Sequence, residues 1–276
     1  MSDTNRAQIE LWNGRMGEKW AAMQVILDAM LAPASVALKA RVGSVANQRV
    51  LDVGCGTGET CAIWLEGGAI VTGVDVSEAM LAVAATRTEG KATLIQADAS
   101  IWKGDEPFEL VVSRFGLMFF DDPEVALTAI AANLRRGGRL VFACWRAVAE
   151  NHWTAVPMSA IRDLVPAAPP PVPHAPGPFA FADSERLGGI LARAGFANVT
   201  FSPVDFPVCL AGEGGAEAAA RFALQVGPAA SALAEASRET RALAAERLKA
   251  AFAPHEKDDV VALDGAIWLV EAIRAH

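Results

Sequence analysis

Tyrosine is absent from the 276 residues, so no phenol is available as a proton acceptor. Cysteine is scarce: Cys55, Cys61, Cys144 and Cys209 form no CxxC pair, which argues against a zinc ribbon or a disulfide framework. Basic charge is in deficit, with 24 Lys and Arg against 32 Asp and Glu and a net charge of −8. That leaves no overall basic footprint of the kind a general nucleic-acid binder needs. No run of about 18 apolar residues occurs, so no membrane span is expected. The opening MSDTNRAQIELW is polar and lacks a basic-then-apolar signal. Disorder is excluded by 53% apolar and 20% charged residues. The expectation is a soluble, reduced, cytoplasmic protein of one or two domains.

Residues 3–46 read as helical. Ile9, Trp12, Met16, Trp20, Met23, Leu27 and Met30 recur at steps of three or four and share a face. Gly14 and Gly17 are expected to split this stretch, with a third helix over 34–45 after Pro33. Residues 49–145 then alternate strand and helix signals: RVLDV, a helix to about Glu66, AIVTGVD, a helix capped by Ser77, KATLIQAD, FELVVSRF, a helix after Asp122-Pro123, and RLVFACW following Gly137-Gly138. Short, near-continuously apolar strands between helices predict a parallel sheet covered on both faces. Residues 165–178 hold seven prolines and read as a stiff extended loop. Beyond it come a helix capped by Asp183 or Ser184, a strand at ANVTF, Ala-rich helices over 213–253 restarting at Pro228, and a final strand over 266–274.

The most informative segment is Val50-Leu51-Asp52-Val53-Gly54-Cys55-Gly56-Thr57-Gly58. A strand delivers the chain to a glycine turn that opens a helix. Glycines let the backbone adopt positive φ and approach a ligand closely. The helix N-terminus offers unpaired N–H groups and a positive dipole end. The dinucleotide spacing G-x-G-x-x-G fails, because Glu59 stands at the third position, and no Gly-Lys follows for a phosphate loop. The second strand ends at Asp75, where an acid can accept from two ribose hydroxyls. The third is expected to end at Asp98, where a carboxylate can accept an exocyclic adenine N–H. Three successive strand ends thus describe an adenosine without phosphates.

These residues resemble the class I S-adenosylmethionine-dependent methyltransferases: VLDVGCGTG, VTGVDVSEAML, QADAS, FELVVSRFGLMFF and NLRRGGRLVFACW fall in that family's order. The nearest branch resembles the small-molecule methyltransferases of ubiquinone and menaquinone biosynthesis. The likeness covers about residues 49–146, with a weaker extension to W-N-G-x-x-G-x-x-W and GPFAFADSERLGGILARAGF. It implies an α/β fold with a Rossmann-like, mostly parallel seven-stranded sheet, its last strand antiparallel beside the fifth, helices on both faces and helical lid elements. It implies an N-terminal helical cap over 1–48, a cofactor-binding core over 49–146, a proline-rich lid over 147–182, and completion of the core over 183–276 with a helical insertion at about 213–253.

The resemblance also implies residue roles. Gly54 and Gly56 would let the methionine moiety cross the turn. Asp75 would bind the ribose, Val76 and Met80 would pack near the adenine, Asp98 would take its amino group and the Ala99 N–H its ring. The backbone at Ser113 or Arg114 would meet the ammonium; the Arg114 guanidinium needs a partner, Glu18 or a nearby Asp. Asp52 would orient the turn or reach the ammonium through water. Trp20 is a candidate wall of the cofactor or acceptor pocket, whereas Trp12 reads as core. Phe115, Met118, Phe119 and Trp145 are candidates for the acceptor pocket or for the core.

Methyl transfer is an in-line displacement whose leaving group is already good, so positioning can supply much of the acceleration. A base is needed only if the acceptor must lose a proton. His152, just beyond the fifth strand, is the candidate; His174, His255, His276 and Glu150 are weaker. The strand end SRFG lacks the N/D-P-P-[YF] of amino-group methyltransferases acting on adenine or glutamine, there is no Pro-Cys nucleophile, and no metal site is expected, although Asp121 and Asp122 keep a metal-assisted catechol site open. The expected function is methylation of a small, largely apolar acceptor at O, N or C, with no nucleic acid and no membrane as partner and a homodimer left open. The alternative is a protein that binds the cofactor without turnover, as a sensor or partner subunit.

Overall fold

Strands of mostly apolar residues form the centre of the molecule. The computed structural model describes residues 3–166 and 172–275. Five strands, β1 (Arg49–Val53), β2 (Ile70–Asp75), β3 (Thr93–Gln96), β4 (Phe108–Arg114) and β5 (Leu134–Trp145), pair in parallel in the order β3-β2-β1-β4-β5. After Arg49 every residue of β1 is buried, as expected of a strand covered on both faces. The helices between them are α4 (Glu59–Glu66), α5 (Glu78–Arg87) and α6 (Pro123–Asn133). Ser77 caps α5 through the Met80 N–H, and Asp122 caps α6 through the N–H groups of Glu124 and Val125.

The sheet is completed by β8 (Val260–Arg274), antiparallel to β5 with Trp145 opposite Ile267, and by β6 (Phe196–Glu213), antiparallel to β8. The path therefore holds seven strands of which only β8 runs against the rest; a two-residue strand, β7 (Glu256–Lys257), adds to β8 as a hairpin. Fully buried Trp64, Phe108, Phe142, Phe181 and Phe252 fill the space between the sheet and its helices.

The N-terminal helices are α1 (Asp3–Trp12), α2 (Arg15–Ala22) and α3 (Gln24–Val42). Two expectations fail here. Gly17 lies inside α2 and the second break falls at Met23; Pro33 lies inside α3 rather than ahead of a new helix. A proline forfeits one helical hydrogen bond, and burial of Leu27, Leu31, Ala34 and Leu38 on either side of it offsets that loss. Between α3 and β5, the Arg139 guanidinium donates to the Val42 and Arg41 carbonyls and to Glu271.

The other differences follow the same logic of long-range packing. β3 stops at Gln96, so Asp98 lies in the turn beyond it. β5 begins at Leu134 and absorbs Gly137 (φ 71°) as an irregularity opposite the β4 segment 108–110. α7 (His152–Ala160) carries Pro157 and opens the stretch expected to form the lid. Residues 167–171 of the proline-rich loop lie outside the described residues, and so does His276. α8 (Ser184–Arg193) is capped by Asp183. The strands β6 and β8 are 18 and 15 residues long, both longer than the expected ANVTF and 266–274, because each pairs with the other well past the sheet. The Ala-rich insertion is three helices, α9 (Gly215–Ala223), α10 (Pro228–Ala232) and α11 (Arg238–Phe252).

Candidate functional site

The glycine turn joins β1 to α4 with Gly54, Gly56 and Gly58 at φ of 68°, 53° and 78°. At Gly54 the close approach is evident: a Cβ would lie 2.8 Å from the Cα of Gly116, in the turn after β4. The two turns touch backbone to backbone, and the Ser113 hydroxyl fastens them, donating to the Val53 carbonyl (2.7 Å) and accepting from the Gly116 N–H (3.2 Å).

Asp75, 8% exposed at the end of β2, crosses to the same turn. Its Oδ2 accepts the Gly56 N–H at 2.8 Å and its Oδ1 the Ser77 N–H at 2.9 Å. Burial pushes this carboxyl above its ordinary range, while those backbone donors pull it down. Met80 is buried on the first turn of α5, and its Sδ lies 3.7 Å from where a Gly56 Cβ would stand. Val76 is half-buried beside it. One strand over, the half-buried Asp98 accepts the Ser100 N–H at 2.9 Å, and Ala99 is buried. Gly54, Gly56, Asp75, Val76, Met80, Asp98 and Ala99 thus stand on neighbouring strand ends, the location where open α/β sheets bind ligands.

Asp52, beneath the turn, is fully buried. Its Oδ2 accepts from Thr60 Oγ1 at 2.5 Å and from Cys61 Sγ at 3.4 Å, and its Oδ1 has no partner. Desolvation pushes its carboxyl up to about 6, against the lowering effects of the Thr60 and Cys61 bonds and of Arg114.

Arg114 ends β4 with its backbone beside the turn and its side chain directed to a charged cluster. The guanidinium bonds Glu59 Oε2 and Ser35 Oγ (2.7 Å), with Asp28 at 3.7 Å. Its acidic partners are Glu59 and Asp28 rather than Glu18.

The helical cap covers these strand ends. Asn13 Oδ1 accepts the Glu78 N–H (3.0 Å) and a Gln96 N–H (3.3 Å). Gly17 lies so close to Ser77 that a Cβ there would stand 2.2 Å from its hydroxyl oxygen. Trp12 packs edge-on against Trp20 (5.7 Å) and Phe119 (5.0 Å). Trp20 is therefore half-buried in an aromatic contact of the cap.

A second aromatic group stands at the ends of β4 and β5. Phe115 stacks on Trp145 with ring centroids 4.6 Å apart and planes 8° from parallel. Phe115 holds φ at 67°, an uncommon conformation for a bulky residue. Trp145 also meets Trp153 (4.9 Å) and Phe206 (6.0 Å), and Trp153 meets Phe179 (6.2 Å). Met118 is only 1% exposed and sits in the core; Phe119 is half-buried. Trp153, Phe179 and Phe206 are not identifiable from sequence reasoning, nor is Asn151, the buried residue that seats Trp153. The Asn-x-Trp a few residues beyond the fifth strand is the one local signal.

His152 begins α7, half-exposed, with Nδ1 2.8 Å from Asp264 Oδ2. Among the described residues, no three His, Cys, Asp or Glu side chains are grouped to hold a metal ion. No single helix is long and apolar enough to cross a membrane; residues 6–22 and 24–42 reach that composition only as a pair bent by 87°.

Comparison with known proteins agrees with this geometry. Residues 51–142 match the profile of the methyltransferase domain family. A demethylmenaquinone methyltransferase of Clavibacter sepedonicus is 36% identical over 109 residues, 38% of this chain and 44% of that one. A malonyl-[acyl-carrier protein] O-methyltransferase of Paenibacillus is 29% identical over 131 residues, 44% and 47% of the two chains. The chain spans about half the length of these curated relatives. In fold it is similar to magnesium protoporphyrin IX methyltransferase of Synechocystis PCC 6803, with TM-score 0.55 and 14% identity over 99% of this chain and 100% of that one. It is also similar to phosphoethanolamine N-methyltransferase 2 of Haemonchus contortus, with TM-score 0.56 and 16% identity over 100% and 61%. Sequence motifs and sheet order agree with this match: residues 51–142 are similar to the methyltransferase domain family, and they lie within a Rossmann-like fold.

Proposed function

We propose that the chain moves a methyl group from S-adenosyl-L-methionine to a small, largely apolar acceptor by in-line displacement. The observation that supports this reading is Asp75 bonded across to Gly56, a buried acid at the end of β2 beside the glycine turn. When bound, the cofactor would supply a sulfonium methyl for transfer to the acceptor, with S-adenosyl-L-homocysteine as the leaving group. Gly54 and Gly56 admit the methionine end, Asp75 takes the ribose hydroxyls, Val76 and Met80 flank the adenine, and Asp98 with the Ala99 N–H binds its edge. The backbone of Arg114 meets the ammonium, and Trp20 in the cap closes the site. The acceptor lies at the ends of β4 and β5, against Phe115, Trp145 and Phe119, with residues 147–182 and the helices of about 213–253 forming its lid. Residues 1–48 act as the cap and 49–146 with 183–276 as the core. Where the acceptor must lose a proton, His152 takes it: Asp264 engages Nδ1 and leaves Nε2 for the acceptor.

The test is calorimetry with S-adenosyl-L-homocysteine, with NAD as control and Asp75→Ala in parallel. Micromolar binding of the former, lost in the variant, supports the reading; binding to NAD, or to neither, overturns it. With a methylated product in hand from an acceptor screen, His152→Gln should lower turnover by about a hundredfold or more while leaving S-adenosyl-L-homocysteine binding intact.

A further inference from the structure

Glu59 breaks the dinucleotide glycine spacing, and the structure shows where its carboxylate goes. It is the first residue of α4, directly after Gly58, and it accepts hydrogen bonds from Arg114 and from the Ser35 hydroxyl (2.8 Å). Ser35 accepts from Arg114 in turn. Asp28, one turn and more along α3, bonds Arg87 at the end of α5 and faces Arg114 at 3.7 Å; Gln24 also accepts from Arg87. Two guanidinium groups and two carboxylates therefore balance in a partly enclosed cluster, with side chains between 13% and 22% exposed.

The members come from the elements that frame the cofactor slot. Glu59 anchors the helix whose N-terminus receives the methionine end. Arg114 immediately precedes the strained Phe115 and Gly116, whose backbone touches Gly54. A forked guanidinium can hold several acceptors in fixed geometry, which a lysine cannot. Breaking one member leaves an opposite charge partly enclosed and unpaired, so the helix end and the strand end would both relax.

We propose that Arg114 and Glu59 are positioning residues for the amino-acid half of the cofactor: their ion pair sets the width of the slot between the glycine turn and the end of β4. The inference rests on the cofactor reading above. It separates the two halves of the ligand, because Asp75, Asp98 and Met80, which face the adenosine half, lie outside the cluster.

The test uses the full chain and two probes, S-adenosyl-L-homocysteine and methylthioadenosine, which lacks the amino-acid end. Arg114→Met and Glu59→Gln should each weaken the first by about tenfold or more and leave the second within about twofold of the unmodified chain. Arg114→Lys should recover part of the loss. The double variant should lose no more than Arg114→Met alone, since the pair acts as a unit. Should Arg114→Met fail to fold, Glu59→Gln and Arg114→Lys carry the same comparison. Equal weakening of both probes, or a lowered melting temperature with unchanged affinity for both, would show a cluster that holds the fold only and would overturn the proposal. If the unmodified chain binds neither probe, the cofactor reading itself fails and the inference falls with it.

Discussion

The Phe115 ring lies flat against Trp145, 4.6 Å between centroids, on a backbone held at φ 67°. The stack joins two adjacent strand ends, and the left-handed backbone aims the ring at its partner. Most substitutions of a buried aromatic to glycine cost more than the same change to alanine. Here the order should invert. Alanine loses the ring, about 3–5 kcal/mol, and keeps the positive φ; glycine loses the ring and relieves about 1 kcal/mol of backbone strain. Denaturant unfolding of Phe115→Gly and Phe115→Ala should show the glycine variant as the more stable. The opposite order would mean that the ring, rather than the backbone, dictates the local conformation.

Local chemistry makes the glycine-turn side of the candidate site legible. Gly54, Gly56 and Gly58 follow a short apolar strand, Ser77 and Asp122 stand where caps belong, and Asp75 closes a strand, so each feature announces itself within about ten residues. The aromatic side was less legible because its parts are distant: Trp153 reaches Trp145 only through α7, and Phe206 only because β6 continues along β8. Pro33 misled for a related reason, since its helix is kept by burial against the sheet and not by propensity. Arg114 was recognisable as a buried cation in need of a partner, but Glu59 lies 55 positions away and no sequence pattern links them.

Asp52 makes stability depend on pH in the direction opposite to a salt-bridged carboxylate. Its folded-state value is about 6 against 3.8 for the free group. Between those values the folded chain binds more protons than the unfolded one, so this group's contribution is fully present below about pH 4 and is lost as pH rises through about 6. The difference amounts to about 3 kcal/mol. Asp52→Asn removes it. Relative to the parent, the variant should gain stability progressively from pH 4 to pH 7 and then level off, as read from urea midpoints across that range. A constant difference would place the ionisation of Asp52 outside this window.

Two glycine-to-alanine changes should move stability in opposite directions. At Gly17 a Cβ would stand 2.0 Å from the Trp12 carbonyl oxygen and 2.2 Å from Ser77 Oγ, and the first of these is backbone that cannot step aside. Gly17→Ala should lift α2 from the strand ends, make residues 3–22 readily cleaved by protease, and weaken S-adenosyl-L-homocysteine by about tenfold. At Gly188, inside α8, the nearest atom is the Phe201 ring at 3.7 Å, an ordinary contact. Gly188→Ala should stabilise by about 0.5–1 kcal/mol. Unaltered protease resistance in Gly17→Ala would show that the cap can adjust without leaving the site.

Asn151 ties the aromatic group around Trp145 to the sheet, fully buried between β5, α7 and β8. Its amide nitrogen donates to the carbonyls of Arg146 (3.3 Å), Ala147 (3.1 Å) and Ala266 (3.2 Å), and its oxygen accepts from the Ala266 N–H (2.9 Å) and from the Trp153 indole (3.1 Å). Every hydrogen-bonding site on the side chain is used, and truncation leaves the buried Ala266 N–H without its acceptor. Asn151→Ala should therefore cost about 2–4 kcal/mol, near the upper end for a neutral polar residue. Asn151→Asp is the sharper test. It keeps the shape and the two acceptor contacts but sets a carboxylate oxygen against three carbonyl oxygens in a dry site, so it should destabilise at least as much at pH 7 and recover as the pH falls and the carboxyl protonates. Equal cost of Asn151→Ala in chains with and without Trp153→Phe would mean that the ring is seated by Trp145 and Phe179 alone, with Asn151 serving only the strands.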